Sequence, residues 1–156
     1  MPVSVNVWDV VRLPFDTIRF LVRELRKRFF AGEPPTGRHF LVDAPIEEIV
    51  AALGRRSYAP NWAFSYYKRG EILNLARVTY EERTVDGRTY EWWQTHVRGW
   101  DHPDGIALHA HWELEPTEYA NDHLDGVGFE FERGMTNLQE ALDRSALAYS
   151  EIDLDR

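Results

Sequence analysis

Three histidines and one glutamate near the middle of the chain have the residue types and spacing that metal-ion or acid–base chemistry uses. They are His96, His109, His111 and Glu113. Imidazole nitrogens and carboxylate oxygens are suitable ligands for a borderline cation such as zinc. If the segment is extended, His109, His111 and Glu113 share one face, because alternate residues of a strand point to the same side.

Three interpretations of this group are open. It can be a solvated strand face with cross-strand contacts among Arg77, His96 and Glu113, a patch that contacts a ligand or partner, or a metal site. The first is favoured, since alternate strand residues often share polarity only because one face is wet. The chain also lacks a glycine-rich phosphate loop, a serine elbow and a zinc-protease helix. The sequence therefore predicts no metal, no cofactor and no catalytic residue, and a non-enzymatic role is expected.

The strands that position this group follow from two Asp-Gly dipeptides, Asp86-Gly87 and Asp104-Gly105. A two-residue type I′ turn needs positive φ at both central positions, which Asp-Gly tolerates. Two such turns join three antiparallel strands and predict these opposed pairs: Tyr80 and Trp93, Val78 and Thr95, Ala76 and Val97, Arg77 and His96, Val97 and Trp112, His96 and Glu113.

Alternation then separates two faces of the predicted sheet. The core face carries Ile72, Ala76, Val78, Tyr80, Trp93, Thr95, Val97, Leu108, Ala110, Trp112 and Leu114. The outer face carries Arg77, Tyr90, Trp92, Gln94, His96, Arg98, Trp100, His109, His111, Glu113 and Glu115. We expect four residues of the first face to be buried, Trp93, Val97, Ala110 and Trp112, and three of the second to be exposed, Arg98, His111 and Glu113.

The outer face contains a predicted surface patch: Trp92, His96, Arg98, Trp100, His109, His111 and Glu113. Its aromatic members, together with Tyr90, are typical of an interface, because large apolar side chains seldom cluster in water without a partner. Coverage of these rings by the N-terminal helix is an equally supported alternative.

Residues 14–30 are predicted to form an amphipathic helix. Pro14 suits a first helical turn, and apolar residues then recur at three- and four-residue steps at Phe15, Ile18, Leu21, Val22, Leu25 and Phe29. Residues 1–38 carry seven basic and four acidic side chains, a net charge of +3. Because the whole chain has a net charge of −8, residues 39–156 carry −11. Such a helix can lie on an anionic membrane or acidic partner. Packing on the protein's own acidic body is the favoured alternative.

The remaining elements complete an α+β prediction. Residues 38–43 are predicted to form a strand, and residues 46–54 a helix with one apolar face. Residues 134–149 are predicted to form a C-terminal helix. We predict a curved antiparallel β-sheet packed on the C-terminal helix, with the N-terminal helix as an extra element. The predicted organisation is a basic helix and linker over residues 1–36, followed by one α+β domain over residues 37–156.

Composition limits the class of protein. The 156 residues suit one domain, and the absence of cysteine excludes disulfides and thiolate metal sites. The start lacks the features of a secretory signal and no apolar run approaches the roughly 18 residues of a membrane span, so a cytoplasmic location is expected. The net charge of −8 argues against nucleic-acid binding.

The segment HFLVDAPIEEIVAAL, residues 39–53, has a strand that runs through Ala-Pro into a short helix. With the following strands and the closing helix, it resembles the START-like, polyketide-cyclase-type helix-grip superfamily. That resemblance implies a cavity for an apolar small molecule between sheet and C-terminal helix. This chain has fewer predicted strands than the superfamily and an additional N-terminal helix, and no catalytic residue of the superfamily can be assigned to it.

Two functions are consistent with these observations. The first is non-enzymatic binding of an apolar or amphipathic small molecule in the cavity, whose predicted walls include Trp93, Trp112, Met135 and Leu138. The second is an interaction protein that self-associates, or that docks on a partner or membrane surface through its Trp/His face or its basic helix. A roomy apolar void would favour the first function, and a solid core would favour the second.

Overall fold

The structure is a computed structural model, and it describes Ile18, Leu21, Leu25, Phe29, residues 31–61, Ser65 and residues 68–155. The chain divides into two compact units. One comprises Pro35–Asn61 and Gly70–Arg156, and the other comprises Met1–Pro34 and Trp62–Arg69. The first unit contains the sheet and is the subject of the following paragraphs.

A curved, open antiparallel sheet forms the framework of the larger unit. Its strands are β1 (Gly37–Val42), β2 (Ala59–Pro60), β3 (Glu71–Val85), β4 (Arg88–His102), β5 (Gly105–Leu114) and β6 (Tyr149–Leu154), in the spatial order β2-β3-β4-β5-β1-β6. Three helices accompany it: α1 (Ile46–Gly54), α2 (Ala120–Leu124) and α3 (Phe131–Asp143). The predicted α+β class, with a curved antiparallel sheet and a C-terminal helix, is confirmed.

The main hydrophobic core lies between the sheet and helices α1 and α3. Met135 and Leu138 of α3 are fully buried in one cluster with Phe40, Val97 and Ala110 of the strands. The helix approaches β5 closely at Gly134, where a Cβ atom would lie 2.1 Å from the Cα of His111. Only glycine allows this separation, so the position of α3 on β5 depends on that residue.

The predicted pairing of β3 with β4 is wrong beyond the first turn. Val85 pairs with Arg88 as a two-residue turn requires, but a β-bulge between Tyr80 and Arg83 shifts the pairs from Tyr80 back to Leu73 by one residue. Trp93 therefore faces Thr79, Thr95 faces Arg77, Val97 faces Leu75 and His96 faces Ala76. The bulge also presents the carbonyl of Glu81 to the buried indole N–H of Trp93, at 2.9 Å.

The bulge exchanges the two faces of β3, because a shift of one residue moves each side chain to the other side. Val78 and Tyr80, predicted in the core, are 50% and 58% exposed. Leu75 takes the buried position instead, at 4%. Arg77, predicted on the outer face, places its guanidinium 5.1 Å from the ring centroid of Tyr58, which belongs to the core.

The predicted pairing of β4 with β5 is displaced by two residues. His102 pairs with Gly105, so the turn is Pro103-Asp104 and not Asp104-Gly105. Proline favours the first central position of such a turn and glycine its last position. As a result Val97 faces Ala110 and His96 faces His111. A two-residue shift preserves the faces, and the predicted burial of Trp93, Val97, Ala110 and Trp112 is confirmed.

The C-terminal helix is shorter than predicted. Helix α3 ends at Asp143, where Ser145 donates both its backbone N–H and its hydroxyl to the carbonyl of Leu142. The following residues form β6, a strand that the sequence did not predict. It pairs with β1, and its first and last pairs are Tyr149 with Val42 and Leu154 with Gly37. The edge of β1 supplies the backbone partners for these residues, which local helix periodicity does not reveal.

Most of the predicted N-terminal helix, residues 14–30, lies outside the described residues. Ile18, Leu21, Leu25 and Phe29 are described, and all four are helical. Their exposed fractions are 57%, 52%, 54% and 67%. None of the described helices has the length and hydropathy needed to cross a membrane.

We predict that Gly134→Ala lowers the free energy of unfolding by about 3 kcal/mol, because the new methyl group meets the backbone of His111. Urea denaturation followed by circular dichroism measures the change. The matched control is Gly54→Ala in α1, where no atom lies within 4 Å of the added Cβ and stability should be unchanged or slightly raised. Equal stabilities of the two variants would contradict the close approach.

Candidate metal centre

The predicted surface patch is almost entirely buried. His96, Arg98, Trp100, His109, His111 and Glu113 are each 8% exposed or less, whereas Trp92 is 40% exposed. The prediction that Arg98, His111 and Glu113 are exposed is therefore wrong. Burial of so many polar side chains is tolerated because they bond to one another, which offsets the loss of water. We use the name polar face for the six buried residues of this patch together with Glu71, Asn74 and Gln94, and it does not include Trp92.

The aromatic set proposed on this face separates in the structure. Trp100 is buried, with its ring centroid 6.2 Å from that of His39. Tyr90 is also buried, and it contacts Trp93 and Tyr119 edge-on. Trp92 alone of the three is exposed, in edge contact with Tyr80. The three rings therefore form no common surface.

A buried ion pair lies at one end of the polar face. Arg98 Nη1 donates to both carboxylate oxygens of Glu71, at 2.8 and 3.0 Å, and the two side chains are 3% and 0% exposed. The same Glu71 accepts a hydrogen bond of 2.7 Å from the amide nitrogen of Asn74. Glu71 and Asn74 were not predicted as site residues. The signal for them was polar residues within the otherwise apolar segment EILNL.

Asn74 sets the orientation of His96. Because the Asn74 amide nitrogen donates to Glu71, its amide oxygen faces His96 and lies 2.8 Å from His96 Nε2. The proton of a neutral His96 ring is therefore on Nε2, where it donates to Asn74. The other ring nitrogen, Nδ1, then presents a lone pair. It points at the Glu113 carboxylate, 3.0 Å away.

His96 is neutral in this environment. Burial lowers the pKa of His96 to about 3, Arg98 contributes in the same direction, and the adjacent Glu113 carboxylate opposes the change without reversing it. Burial by itself raises the pKa of the Glu113 carboxyl. The contacts of Glu113 with His111 and His96 outweigh that effect, and its pKa lies well below the usual range. Glu113 is therefore a carboxylate.

His111 completes a set of three potential ligands. Its Nε2 lies 3.2 Å from Glu113 Oε2, and one ligand atom from each of His96, His111 and Glu113 lies within 4.8 Å of the others. Ligands about 2.1 Å from a tetrahedral zinc ion are about 3.4 Å apart. The two nitrogen–oxygen separations, 3.0 Å to Oε1 and 3.2 Å to Oε2, are close to this value, and each imidazole faces its own carboxylate oxygen.

Additional groups hold these three ligands in place. The side-chain amide of Gln94 donates to Glu113 Oε1 at 2.8 Å. His123 lies beside the other carboxylate oxygen at 3.6 Å, and its Nδ1 donates to the carbonyl of Leu114. Supporting bonds of this kind fix ligand orientation in metal sites. The candidate centre therefore has a second layer of polar side chains, formed by Asn74, Gln94 and His123.

Two phenylalanines cover the histidines of β5. Phe129 stacks on His111 with centroids 5.0 Å apart, and Phe131 lies 4.9 Å from His109. Both flank Glu130, whose backbone forms two hydrogen bonds of 2.8 Å with Trp112 of β5. This bridge brings the rings against the polar face. Phe129 is itself 50% exposed, so an aromatic ring separates His111 from solvent.

His39 of β1 extends the row of imidazoles, and the sequence reading did not identify it. Its ring centroid is 5.1 Å from that of His109, which lies 6.4 Å from His111, and His111 lies 4.9 Å from His96. His39 is fully buried, its Nδ1 donates to the carbonyl of Gly37, and burial lowers its pKa. The pairing of distant strands β1 and β5 creates this contact.

The four residues predicted to line an apolar cavity fall into two clusters. Met135 and Leu138 belong to the main core, and the Met135 sulfur accepts a hydrogen bond from the Ala110 N–H. Trp93 and Trp112 belong to a second cluster, where their rings stack in parallel with centroids 4.2 Å apart. Each residue is fully or almost fully buried. A ligand cavity between sheet and helix stays a prediction.

No family model, curated protein or solved structure matches this chain. The resemblance to START-like proteins therefore also stays a prediction.

We predict that Glu71→Gln lowers the free energy of unfolding by about 3 to 5 kcal/mol, because it removes the carboxylate beside a buried guanidinium. Chemical denaturation provides the measurement. The control is Glu151→Gln, which removes one partner of the more exposed Arg38 and should cost less than about 1 kcal/mol. A double variant, Glu71→Leu with Arg98→Met, should recover much of the lost stability. A small effect of Glu71→Gln would show that the pair is not desolvated.

We also predict acid destabilisation that depends on His96 in chelator-treated protein. The unfolded chain takes up a proton at His96 near pH 6.5, whereas the folded chain does so only near pH 3. Stability is therefore fully present above pH 6.5 and is lost as pH falls from 6.5 towards 3, by up to about 1.4 kcal/mol per pH unit. Arg98, His111 and Glu113 surround this imidazole and remain in the variant His96→Gln.

Urea denaturation at pH 7, 5.5 and 4.5 tests this dependence. The His96→Gln variant should show a shallower loss of stability between these values than the wild-type protein. His102→Gln, at the more exposed β4–β5 turn, should retain the wild-type slope. An unchanged slope in His96→Gln would contradict a neutral buried imidazole.

Proposed function

We propose that this protein binds a divalent transition-metal ion through His96 Nδ1, His111 Nε2 and the Glu113 carboxylate. The observation that carries the proposal is the orientation of His96, whose Nε2 is committed to Asn74 while Nδ1 faces Glu113 at 3.0 Å. A lone pair and a carboxylate repel each other at this distance. A cation between them converts that repulsion into coordination.

The type of ligand favours a borderline ion over a hard one. Two imidazoles and one carboxylate suit zinc, iron(II), cobalt or nickel, whereas magnesium and calcium prefer sites made of oxygen atoms. Zinc is the natural first probe, because catalytic zinc sites use three protein ligands, and two imidazoles with one carboxylate are one such set.

The number of ligands favours a reactive or exchangeable ion over a closed structural one. Structural zinc sites are filled by four protein ligands, whereas catalytic sites keep a position for water or substrate. Among the described residues, one cluster of three potential ligands is found here. A site of this type leaves a coordination position for water or a small anion, and the Phe129 ring beside His111 limits its access to solvent.

Binding of an apolar small molecule between sheet and helix is the other function that the sequence predicted. The stacking of Trp93 on Trp112 shows that these two predicted walls contact each other. No observation in the described part of the chain favours that function over metal binding, and it stays a prediction.

We predict that chelator-treated, tag-free protein binds zinc with one ion per chain and a micromolar or lower Kd. Isothermal titration calorimetry gives affinity and stoichiometry, and elemental analysis after gel filtration gives the bound metal. Zinc should also raise the melting temperature, since an ion that binds only the native state stabilises it. His111→Gln and Glu113→Gln should each weaken binding at least a hundredfold. Asn74→Ala should weaken it by about 10- to 100-fold through the misplaced His96 ring.

His102→Gln is the matched control, because His102 belongs to the same hairpin but lies outside the three-ligand cluster. It should bind zinc as the wild-type protein does. Circular dichroism must show that each variant is folded. Absence of zinc binding at 100 µM, or binding that survives both His111→Gln and Glu113→Gln, would refute the proposed site.

A further inference from the structure

We propose that the helical face formed by Ile18, Leu21, Leu25 and Phe29 attaches the protein to an anionic lipid surface. These residues are spaced by three, four and four positions, which places them on one side of a helix. Each is more than half exposed. Single exposed apolar residues are ordinary, but a continuous stripe of large ones requires a partner.

The charges around this stripe favour a lipid partner. Residues 14–30 contain five basic and two acidic side chains, and the basic ones are Arg19, Arg23, Arg26, Lys27 and Arg28. A helix with large apolar residues on one side and arginines around them lies in the interface of an anionic bilayer. The long arginine side chains reach the headgroups while their aliphatic portions remain among the apolar groups.

The geometry of attachment follows from the length of the segment and from the charge of the remaining chain. Residues 14–30 are 17 residues with seven charged side chains, whereas a membrane span needs about 20 mostly apolar residues, so the helix lies along the surface. Residues 39–156 carry a net charge of −11, which an anionic membrane repels. Attachment therefore depends on the helix alone and weakens as salt screens its cations.

Cosedimentation of the full-length protein with vesicles tests the proposal. We expect binding to vesicles of phosphatidylcholine with 30% phosphatidylglycerol in 0.1 M salt, little binding to pure phosphatidylcholine, and release at 0.5 M salt. The variant Leu21→Asp with Leu25→Asp should reduce the partition coefficient at least tenfold. Arg23→Gln with Lys27→Gln should reduce it about fivefold for each charge removed, without altering the apolar stripe.

Leu124→Asp is the matched control, because Leu124 is 80% exposed on α2 and belongs to the other unit of the chain. It should bind vesicles as the wild-type protein does, and all variants should retain their circular dichroism spectra and zinc affinity.

Failure of the wild-type protein to bind anionic vesicles would overturn the proposal, as would equal binding to neutral ones. Sedimentation velocity tests the alternative that a second copy of the chain covers the stripe. If Leu21→Asp with Leu25→Asp dissociates an oligomer and leaves vesicle binding unchanged, the stripe is an interface between copies of the chain and the lipid proposal is wrong.

Discussion

The buried ion pair between Arg98 and Glu71 orders the hydrogen bonds that lead through Asn74 to His96. A carboxylate that is held by a guanidinium can only accept, so the Asn74 amide must present its nitrogen to Glu71 and its oxygen to His96. This sequence of donors and acceptors places the His96 proton on Nε2. The lone pair on Nδ1 is the proposed metal ligand, and its position depends on the charge of Glu71, which acts on His96 through the Asn74 side chain. Buried networks are specific for this reason, because few arrangements satisfy every member.

The opposite face of the sheet fixes where these residues lie. Gly134 lets α3 approach the backbone of β5 at His111, and Met135 accepts the Ala110 N–H on the core side. Immediately before α3, Glu130 pairs with Trp112 and brings Phe129 onto the His111 ring. Packing of α3 in the apolar core and coverage of the polar face are therefore coupled through one short segment. A change in helix position would move the aromatic cover and the histidine together.

Charge is distributed in a way that suits the two proposals. Residues 39–156 carry a net −11, and an anionic protein attracts divalent cations from solution. The cationic residues 14–30 have the opposite preference and favour an anionic surface. The Arg133 guanidinium lies 3.6 Å from the ring centroid of Trp112, and it also pairs with Glu81. Arg133 is thus used in the packing of the larger unit, whereas the N-terminal cations alternate in the sequence with the residues of the apolar stripe.

Sequence periodicity determined the class of fold and the apolar side of β4 and β5. Trp93, Val97, Ala110 and Trp112 are buried as predicted, because alternation along a strand is a local property of the chain. It also brought His96, His111 and Glu113 to one face, since the two-residue error at the β4–β5 turn preserves the sides of a strand. Their chemistry was recognisable from residue type alone, although the sequence favoured a solvated face over a metal site.

Tertiary structure decided the properties on which function depends. The bulge at Glu81, the strand β6 and the contact of His39 with His109 each arise from pairing between distant segments, for which local periodicity carries no signal. Burial of Arg98, His111 and Glu113 likewise followed from partners such as Glu71, which the sequence does not connect to them. Whether a polar side chain faces water or forms a network depends on what lies across from it, and only the folded chain establishes those neighbours.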